Sequence, residues 1–228
     1  MPAALPEVLT RLEQQYGAQK PEPLRGPFEM ILWEIVGYLV PDEQRRKAFS
    51  ALRSRTRLDP RRILATPLTT LEAITRLGGA IAARERAARL RRSAELVLDE
   101  FNGNLDAVLS LPLAQARKAL KKFPMIGEPG AEKVLLFCDA HPVPGLESNG
   151  LRVLVRLGFG REHRNYAATY HEARDAAADQ LPQTPAALKR AHLLLRTHGQ
   201  DTCLRTRPLC RRCVVSSLCA YWNKQRAE

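Results

Sequence analysis

The chain has 228 residues, 45% of them hydrophobic, which is enough to bury one large core or two smaller ones. Its formal net charge of +12 favours a polyanionic partner, most simply nucleic acid, over a basic surface that serves only solubility. The chain does not open with a basic segment followed by an apolar run, and its most apolar stretch, residues 30–40, is too short to cross a bilayer. We therefore expect a cytoplasmic protein with reduced thiols and no membrane partner.

Apolar residues recur at three- and four-residue spacing along most of the chain, which predicts amphipathic helices. The clearest such segments, in chain order, are 7–16, 27–40, 42–55, 69–77, 83–101 and 186–199. Stretches rich in glycine, proline and asparagine separate them and predict short loops. Two arginine-rich segments, 45–62 and 84–92, are interpreted as solvated helix faces, because a charge run alone does not indicate phosphate contact. The pattern predicts an all-α protein.

Four of the five cysteines, Cys203, Cys210, Cys213 and Cys219, fall within 17 residues in the pattern C-x6-C-x2-C-x5-C. A reducing compartment argues against disulfides. Structural zinc sites usually bring two close pairs together across a longer segment, so the spacing favours an iron–sulfur cluster, with zinc left as an alternative. The residues around them are basic: Arg205 and Arg207 are predicted either to contact DNA phosphates or to offset the cluster's charge.

A second motif precedes this segment at residues 116–137. It predicts a helix over 116–122, a Gly/Pro turn over 123–129 and a second helix from Gly130. The start of the second helix would present backbone N–H groups and a favourable dipole to a phosphate. An ordinary connection between two helices is the alternative interpretation.

Together these motifs resemble the endonuclease III-like DNA glycosylases, a helix-hairpin-helix superfamily with a terminal iron–sulfur cluster. The cysteine spacing is that family's pattern. The stretch FPMIGEPGAEKV lies where the family has its hairpin, and LESNGLRVLVRLG lies where the family has a turn with an aspartate. PFEMILWEIVGYLV matches an early helix, so the resemblance covers nearly the whole chain.

The resemblance implies roles for individual residues. The four cysteines match the ligands of a [4Fe–4S] cluster. In the hairpin, Gly127 matches the second glycine and Met125 replaces the first, and both are expected to contact DNA with Gly130 and Lys133. The family's bifunctional members carry a lysine nucleophile where this chain has Pro129. The enzyme is therefore expected to be monofunctional.

The family's aspartate aligns with Glu147, which is expected to stabilise positive charge at the sugar C1′ or to activate water. A residue that only opens the next helix is the alternative interpretation of Glu147. Tyr38 and Leu39 lie where the family places a wedge that fills the gap left by a flipped base.

The resemblance implies two lobes, one over 28–137 that ends in the hairpin and one over 1–27 plus 138–228 that holds the cluster. The expected function is removal of a damaged or mismatched base from double-stranded DNA by a monomeric, nucleoid-associated enzyme. A non-catalytic DNA-binding protein of the same fold and a zinc-stabilised helical binding module are the alternatives.

Overall fold

The computed structural model describes residues 3–181 and 183–227, and within these ranges the chain has helices and no β-strand. The predicted all-α class is confirmed. The α-helices are α1 (Leu5–Tyr16), α2 (Gly26–Val36), α3 (Asp42–Thr56), α4 (Pro60–Ala65), α5 (Leu68–Leu77), α6 (Ala83–Phe101), α7 (Leu113–Leu120), α8 (Glu128–Phe137), α9 (Ser148–Leu157), α10 (Tyr166–Ala177), α11 (Pro185–Asp201) and α12 (Ala220–Ala227). Short 3-10 helices occupy Asp106–Ser110, Ala178–Gln180, Cys210–Arg212 and Ser216–Leu218. None of the helices described is long and apolar enough to span a membrane.

The residues at the helix ends explain most of the boundaries. Asp59 accepts a hydrogen bond from the Arg62 N–H and caps α4, while Thr184 caps α11 in the same way. The predicted helix over 27–40 is shorter than expected, because the backbone of Gly37 is extended and ends α2. Tyr38 and Leu39 consequently lie in the loop between α2 and α3.

The described chain divides into two compact units. One of them is a continuous segment, Pro23–Val134. Its centre is the long helix α6, which packs against α2, α4 and α5. The apolar faces of these helices are removed from water at the positions that the helical spacing predicts. The fully buried side chains here include Ile31, Leu32, Ile35, Leu52, Ile63, Leu71 and Leu90.

The other unit joins Met1–Glu22 to Leu135–Glu228. Here α9 packs against α11, α1 covers another face of α11, and α10 and α12 lie on α9. The crossing of α9 and α11 is close because Gly199 has no side chain: a Cβ atom there would lie 2.7 Å from both the Cβ and the carbonyl oxygen of Asn149. This contact fixes the distance between the two helices.

Replacing Gly199 with alanine is expected to destabilise the protein by about 2 kcal/mol, because the new methyl group overpacks a backbone contact. The measurement is the urea midpoint of unfolding. Gly130→Ala is the matched control, since a Cβ there would make only ordinary contacts with Ile126, at 3.5 and 3.7 Å. An alanine in α8 is expected to be neutral or stabilising. Equal midpoints for the two variants would contradict this account of the crossing.

Candidate functional site

The four clustered cysteines are free thiols, and all four line one cavity. The space between the lining atoms is about 370 Å³, part of it open to solvent. The other walls include Val153, Leu157, His198, Tyr221 and Trp222. Among the described residues, no three His, Cys, Asp or Glu side chains converge as ligands of a single metal ion. Four thiols that line one cavity are the donor set that a cubane cluster takes, with one thiolate on each of its four irons.

The cysteine segment contributes little apolar core of its own. Between Cys203 and Ala227, Val215 is the one residue that is buried. Hydrophobic burial therefore holds this segment weakly, and its position depends on polar contacts with α9. Arg156 supplies most of them: it donates to the carbonyl oxygens of Leu204 (2.8 Å) and Arg205 (3.0 Å), and its Nη1 lies 3.3 Å from the Cys203 sulfur.

Burial changes the ionisation of the groups in this cavity. It raises the pKa of the Cys213 thiol to about 11 and also raises the pKa of Cys210 and Cys219. These three thiols are therefore protonated at neutral pH when no metal is bound, and metal binding would release their protons. His198 is buried beside Cys213, with Nε2 3.6 Å from the sulfur, and burial lowers its pKa to about 4. This histidine adds no positive charge to the cavity at neutral pH.

Glu147 is the N-cap of α9, as the alternative interpretation of the sequence expected. One carboxylate oxygen accepts from the Gly150 N–H at 2.6 Å, and the other accepts from the Asn149 side-chain amide at 2.8 Å. The carboxylate is half-buried and has a fixed orientation. A capping role and a catalytic role are compatible, because each oxygen keeps a second acceptor position.

A chain of hydrogen bonds joins this carboxylate to the cysteine segment. The side-chain oxygen of Asn149, Oδ1, accepts from Arg152 at 2.9 Å, and Arg152 in turn donates to the backbone carbonyls of Cys203 at 2.9 Å and Gly199 at 2.7 Å. Glu147 and the first cysteine of the segment are thus connected through Asn149 and Arg152.

Tyr166, at the start of α10, lies near the same carboxylate. It is 48% exposed. Partial burial, and secondarily the charge of Glu147, raise its pKa. The neutral phenol presents an aromatic surface beside the candidate catalytic group, of the kind on which a flipped base stacks.

The hairpin between α7 and α8 contains a tight turn. The Ile126 N–H donates to the Phe123 carbonyl at 3.1 Å, and both of these side chains are buried, which leaves Met125 at the exposed tip. Met125 has φ of +67°, at a turn position that normally takes glycine. Met125 thus has the left-handed conformation that glycine favours. Gly127 has open surroundings, since a Cβ there would meet only Pro129 at 3.8 Å.

A concave basic surface lies beside the hairpin, formed by Arg117, Lys118, Lys121, Lys122 and Glu128 with Ala114. Two of its cationic side chains form ion pairs, Arg117 with Glu132 and Lys122 with Glu100. Lys118 and Lys121 are exposed and have no ion-pair partner within the described residues. These two lysines were not singled out from the sequence.

Lys133 is held in an ion pair. Its Nζ lies 2.6 Å from Glu34 on α2, and the other oxygen of Glu34 lies 3.7 Å from Arg45 on α3. Lys133 would have to leave this pair to contact a phosphate. Gly130 lies one helical turn earlier, in the first turn of α8.

The loop after α2 exposes both wedge candidates. Leu39 is the more exposed, at 76%, and has φ of +52°. The Tyr38 N–H donates to the Gly78 carbonyl at 3.2 Å, so this loop is joined to the turn between α5 and α6.

The predicted site residues fall into two groups. The unit over Pro23–Val134 contains Tyr38, Leu39, Met125, Gly127, Gly130 and Lys133. The unit with the cysteines contains Glu147 and the exposed loop residues Arg205 and Arg207. Within this second unit Arg152 and Arg156 connect the carboxylate with the cysteine loop. The sequence offered one indication of both arginines: they recur four residues apart on the polar side of an otherwise apolar helix.

No family model matches the chain. Two relatives are an endonuclease III of Sulfolobus acidocaldarius, 27% identical over 201 residues (87% of this chain and 83% of that protein), and a thymine/uracil-DNA glycosylase of Pyrobaculum aerophilum, 26% identical over 141 residues (61% and 58%). A solved non-covalent complex of endonuclease III with DNA superposes with a TM-score of 0.78 at 22% identity, covering 98% of this chain and 97% of that one. The resemblance to endonuclease III-like DNA glycosylases is thus confirmed, and the chain has their helix-hairpin-helix fold.

Replacing Met125 with glycine is expected to stabilise the protein by about 1 kcal/mol, because a side chain at positive φ carries a steric cost that glycine avoids. The measurement is the urea midpoint of unfolding. Met125→Ala is the control: it removes the same exposed side chain but keeps a Cβ, so its midpoint is expected to stay near that of the natural chain. A lower midpoint for Met125→Gly than for Met125→Ala would contradict the assignment of strain to this turn.

Proposed function

We propose that this protein is a DNA glycosylase of base-excision repair that removes a damaged or mismatched base from double-stranded DNA. The observation that carries the proposal is the fixed carboxylate of Glu147, at the start of α9, in a chain with the endonuclease III fold. The fold supplies a DNA-binding framework, and function has to be argued from the site.

The reaction is hydrolysis of the bond between the base and C1′ of the sugar. As that bond breaks, positive charge develops on the sugar, and the negative charge of Glu147 stabilises it. The base leaves with the electron pair of the broken bond and takes up a proton from solvent. Water then adds to C1′, and Glu147 accepts a proton from it. The bonds from Asn149 and Gly150 hold the carboxylate in place before the substrate arrives, so little reorganisation is needed during the reaction.

The proposal includes a monofunctional enzyme. Schiff-base chemistry needs an amine at the sugar, and Pro129, at the position of the family's lysine, has none. The nearest lysine along α8 is Lys133, whose ammonium group is 2.6 Å from Glu34. An ammonium group in an ion pair is a poor nucleophile, because it must lose a proton before it attacks.

DNA phosphates are proposed to contact both lobes, 28–137 and 1–27 with 138–228. In the first lobe, Met125, Gly127 and Gly130 present the hairpin backbone, and Lys118 and Lys121 add cationic side chains beside it. In the second lobe, Arg205 and Arg207 lie exposed on the loop between the first two clustered cysteines. We expect a monomer that acts in the cytoplasm at the nucleoid.

Cys203, Cys210, Cys213 and Cys219 are proposed to hold a [4Fe–4S] cluster. When bound, the cluster supplies a covalent link among four points of a segment that has almost no apolar core. The residues of the chain do the rest: Arg156 fixes the loop from Cys203 to Arg205, and Arg152 connects that loop with Asn149.

The cluster is tested by replacing one ligand. The purified protein is expected to show broad visible absorbance and to contain iron, and Cys213→Ser is expected to lose both together with much of its resistance to heat. Cys138→Ser is the matched control, because Cys138 lies outside the segment, and it is expected to keep the absorbance. A colourless natural protein that contains zinc and no iron would overturn the assignment.

The role of Glu147 is tested by measuring base removal from duplexes that carry uracil or thymine opposite guanine, oxidised pyrimidines or alkylated purines. Hot alkali then cleaves the strand at each abasic site and so reveals it. On the duplex that is cleaved, Glu147→Gln is expected to lower the rate by about 10²-fold or more, because the amide keeps the shape and the bond from the Gly150 N–H but loses the charge and the acceptor for Asn149. Glu147→Asp, which restores the family's residue, is expected to stay within about tenfold of the natural enzyme.

Three outcomes would change this assignment. Unchanged activity in Glu147→Gln would remove Glu147 from the mechanism. Tight binding without cleavage of any duplex would favour the non-catalytic DNA-binding protein. A covalent DNA adduct trapped by borohydride would show that an amine attacks the sugar, and would contradict the monofunctional assignment.

A further inference from the structure

Two neighbouring loops in the unit over Pro23–Val134 each expose an apolar side chain next to strained backbone. The loop after α2 carries Leu39, which is 76% exposed with φ of +52°. The loop between α5 and α6 carries Ile81, which is 57% exposed, followed by Ala82 with φ of +49°. A left-handed conformation is unfavourable for leucine and alanine, so the surrounding structure must impose it.

Both loops are hydrogen-bonded to the same side chain, that of Arg86 on α6, which is 1% exposed. Its guanidinium donates to four backbone carbonyls: Val36 at 2.7 Å, Ile81 at 3.1 Å, Gly78 at 3.2 Å, and Gly79. The first of these is the last residue of α2, and the other three belong to the loop before α6. One side chain therefore joins the two loops at their bases.

Burial of the charged Arg86 side chain costs free energy of desolvation. None of its partners within the described residues is a carboxylate, so its charge is offset only by carbonyl dipoles. Burial lowers its pKa, and the charges of Arg45 and Arg89 lower it further. An apolar side chain would cost less if filling space were the only requirement. What an apolar side chain cannot do is donate four hydrogen bonds to carbonyls of two separate loops.

The loops themselves are in close backbone contact. A Cβ atom on Gly78 would lie 2.1 Å from the Val36 carbonyl oxygen and 3.0 Å from the Gly37 Cα. The Tyr38 N–H also donates to the Gly78 carbonyl. This leaves little room for the loop after α2 to shift, and it keeps Leu39 at the outermost position.

We propose that Arg86 is a positioning residue that holds the loop after α2 in the strained, exposed conformation from which Leu39 enters the base stack of duplex DNA. The inference rests on the proposed function, because it requires a duplex whose base is displaced. Leu39, and not Tyr38, is the inserting side chain, since it is the more exposed and wholly apolar. Arginine is required because a lysine cannot reach four carbonyls with one ammonium group.

The test uses a duplex in which a tetrahydrofuran analogue of an abasic site lies opposite 2-aminopurine, a base whose fluorescence reports its stacking. An intact duplex of the same sequence measures phosphate binding alone. The natural protein is expected to bind the analogue duplex more tightly and to change the 2-aminopurine signal. Leu39→Ala and Arg86→Lys are each expected to reduce that change by about threefold or more, with affinity for the intact duplex within about twofold of the natural value.

Three further variants separate positioning from general stability. Arg84→Lys, an exposed arginine on the same helix, is the matched control and is expected to leave the signal unchanged. Leu39→Gly relieves the positive φ and is expected to raise the melting temperature while it abolishes the signal change. Leu39→Met restores an apolar side chain and is expected to recover the signal.

The outcomes are distinguishable. If the natural protein binds both duplexes equally and leaves the 2-aminopurine signal unchanged, the proposed function and this inference both fail. If it prefers the analogue duplex but Arg86→Lys, folded with an unchanged melting transition, gives the natural signal, only this inference is overturned. Arg86→Gln keeps two donors without a buried charge and is the second variant; failure of both Arg86 variants to fold would assign Arg86 a general structural role and overturn the inference.

Discussion

The candidate site depends on one constraint: the cysteine segment must be held in place although only Val215 in it is buried. Arg152 and Arg156, four residues apart on α9, meet this constraint by donating to the carbonyls of residues 203–205. The same helix is capped by Glu147. Thus one short helix holds the cysteine loop at one side and the candidate catalytic carboxylate at its end, and hydrogen bonds through Asn149 and Arg152 connect the two.

Much of the fold follows from local sequence. The helix predicted over 83–101 has those bounds in the structure, because its apolar spacing is regular and Asn102 ends it in a left-handed conformation. The helix predicted over 27–40 ends four residues early, at Val36. There the apolar spacing continues past Gly37, but the extended backbone of Gly37 ends the helix, and the Tyr38 N–H donates to Gly78, a tertiary contact that the local sequence does not contain.

The site was less predictable, for a physical reason. The cysteine spacing and the hairpin are patterns within short stretches of sequence, so both can be recognised from the sequence alone. The partners of Arg86, Arg152 and Lys133 lie as far as 50, 51 and 99 residues away in the chain, and one arginine among many carries no mark of such a partner. Lys133 illustrates the difference: its position suggested a phosphate contact, whereas the structure pairs it with a glutamate on another helix.

The packing of α1 on α11 has a consequence for how the chain is made. The apolar face of α1, formed by Leu5, Val8, Leu9 and Leu12, is buried, and the helix that packs on α1, α11, is bonded to it across 177 and 182 residues of chain. The continuous unit over Pro23–Val134 is synthesised before α11, so its internal contacts become available earlier in translation than those of α1. The four clustered cysteines emerge after the hairpin unit has been synthesised, and ribosomes that stall before α11 would leave α1 as an exposed apolar helix.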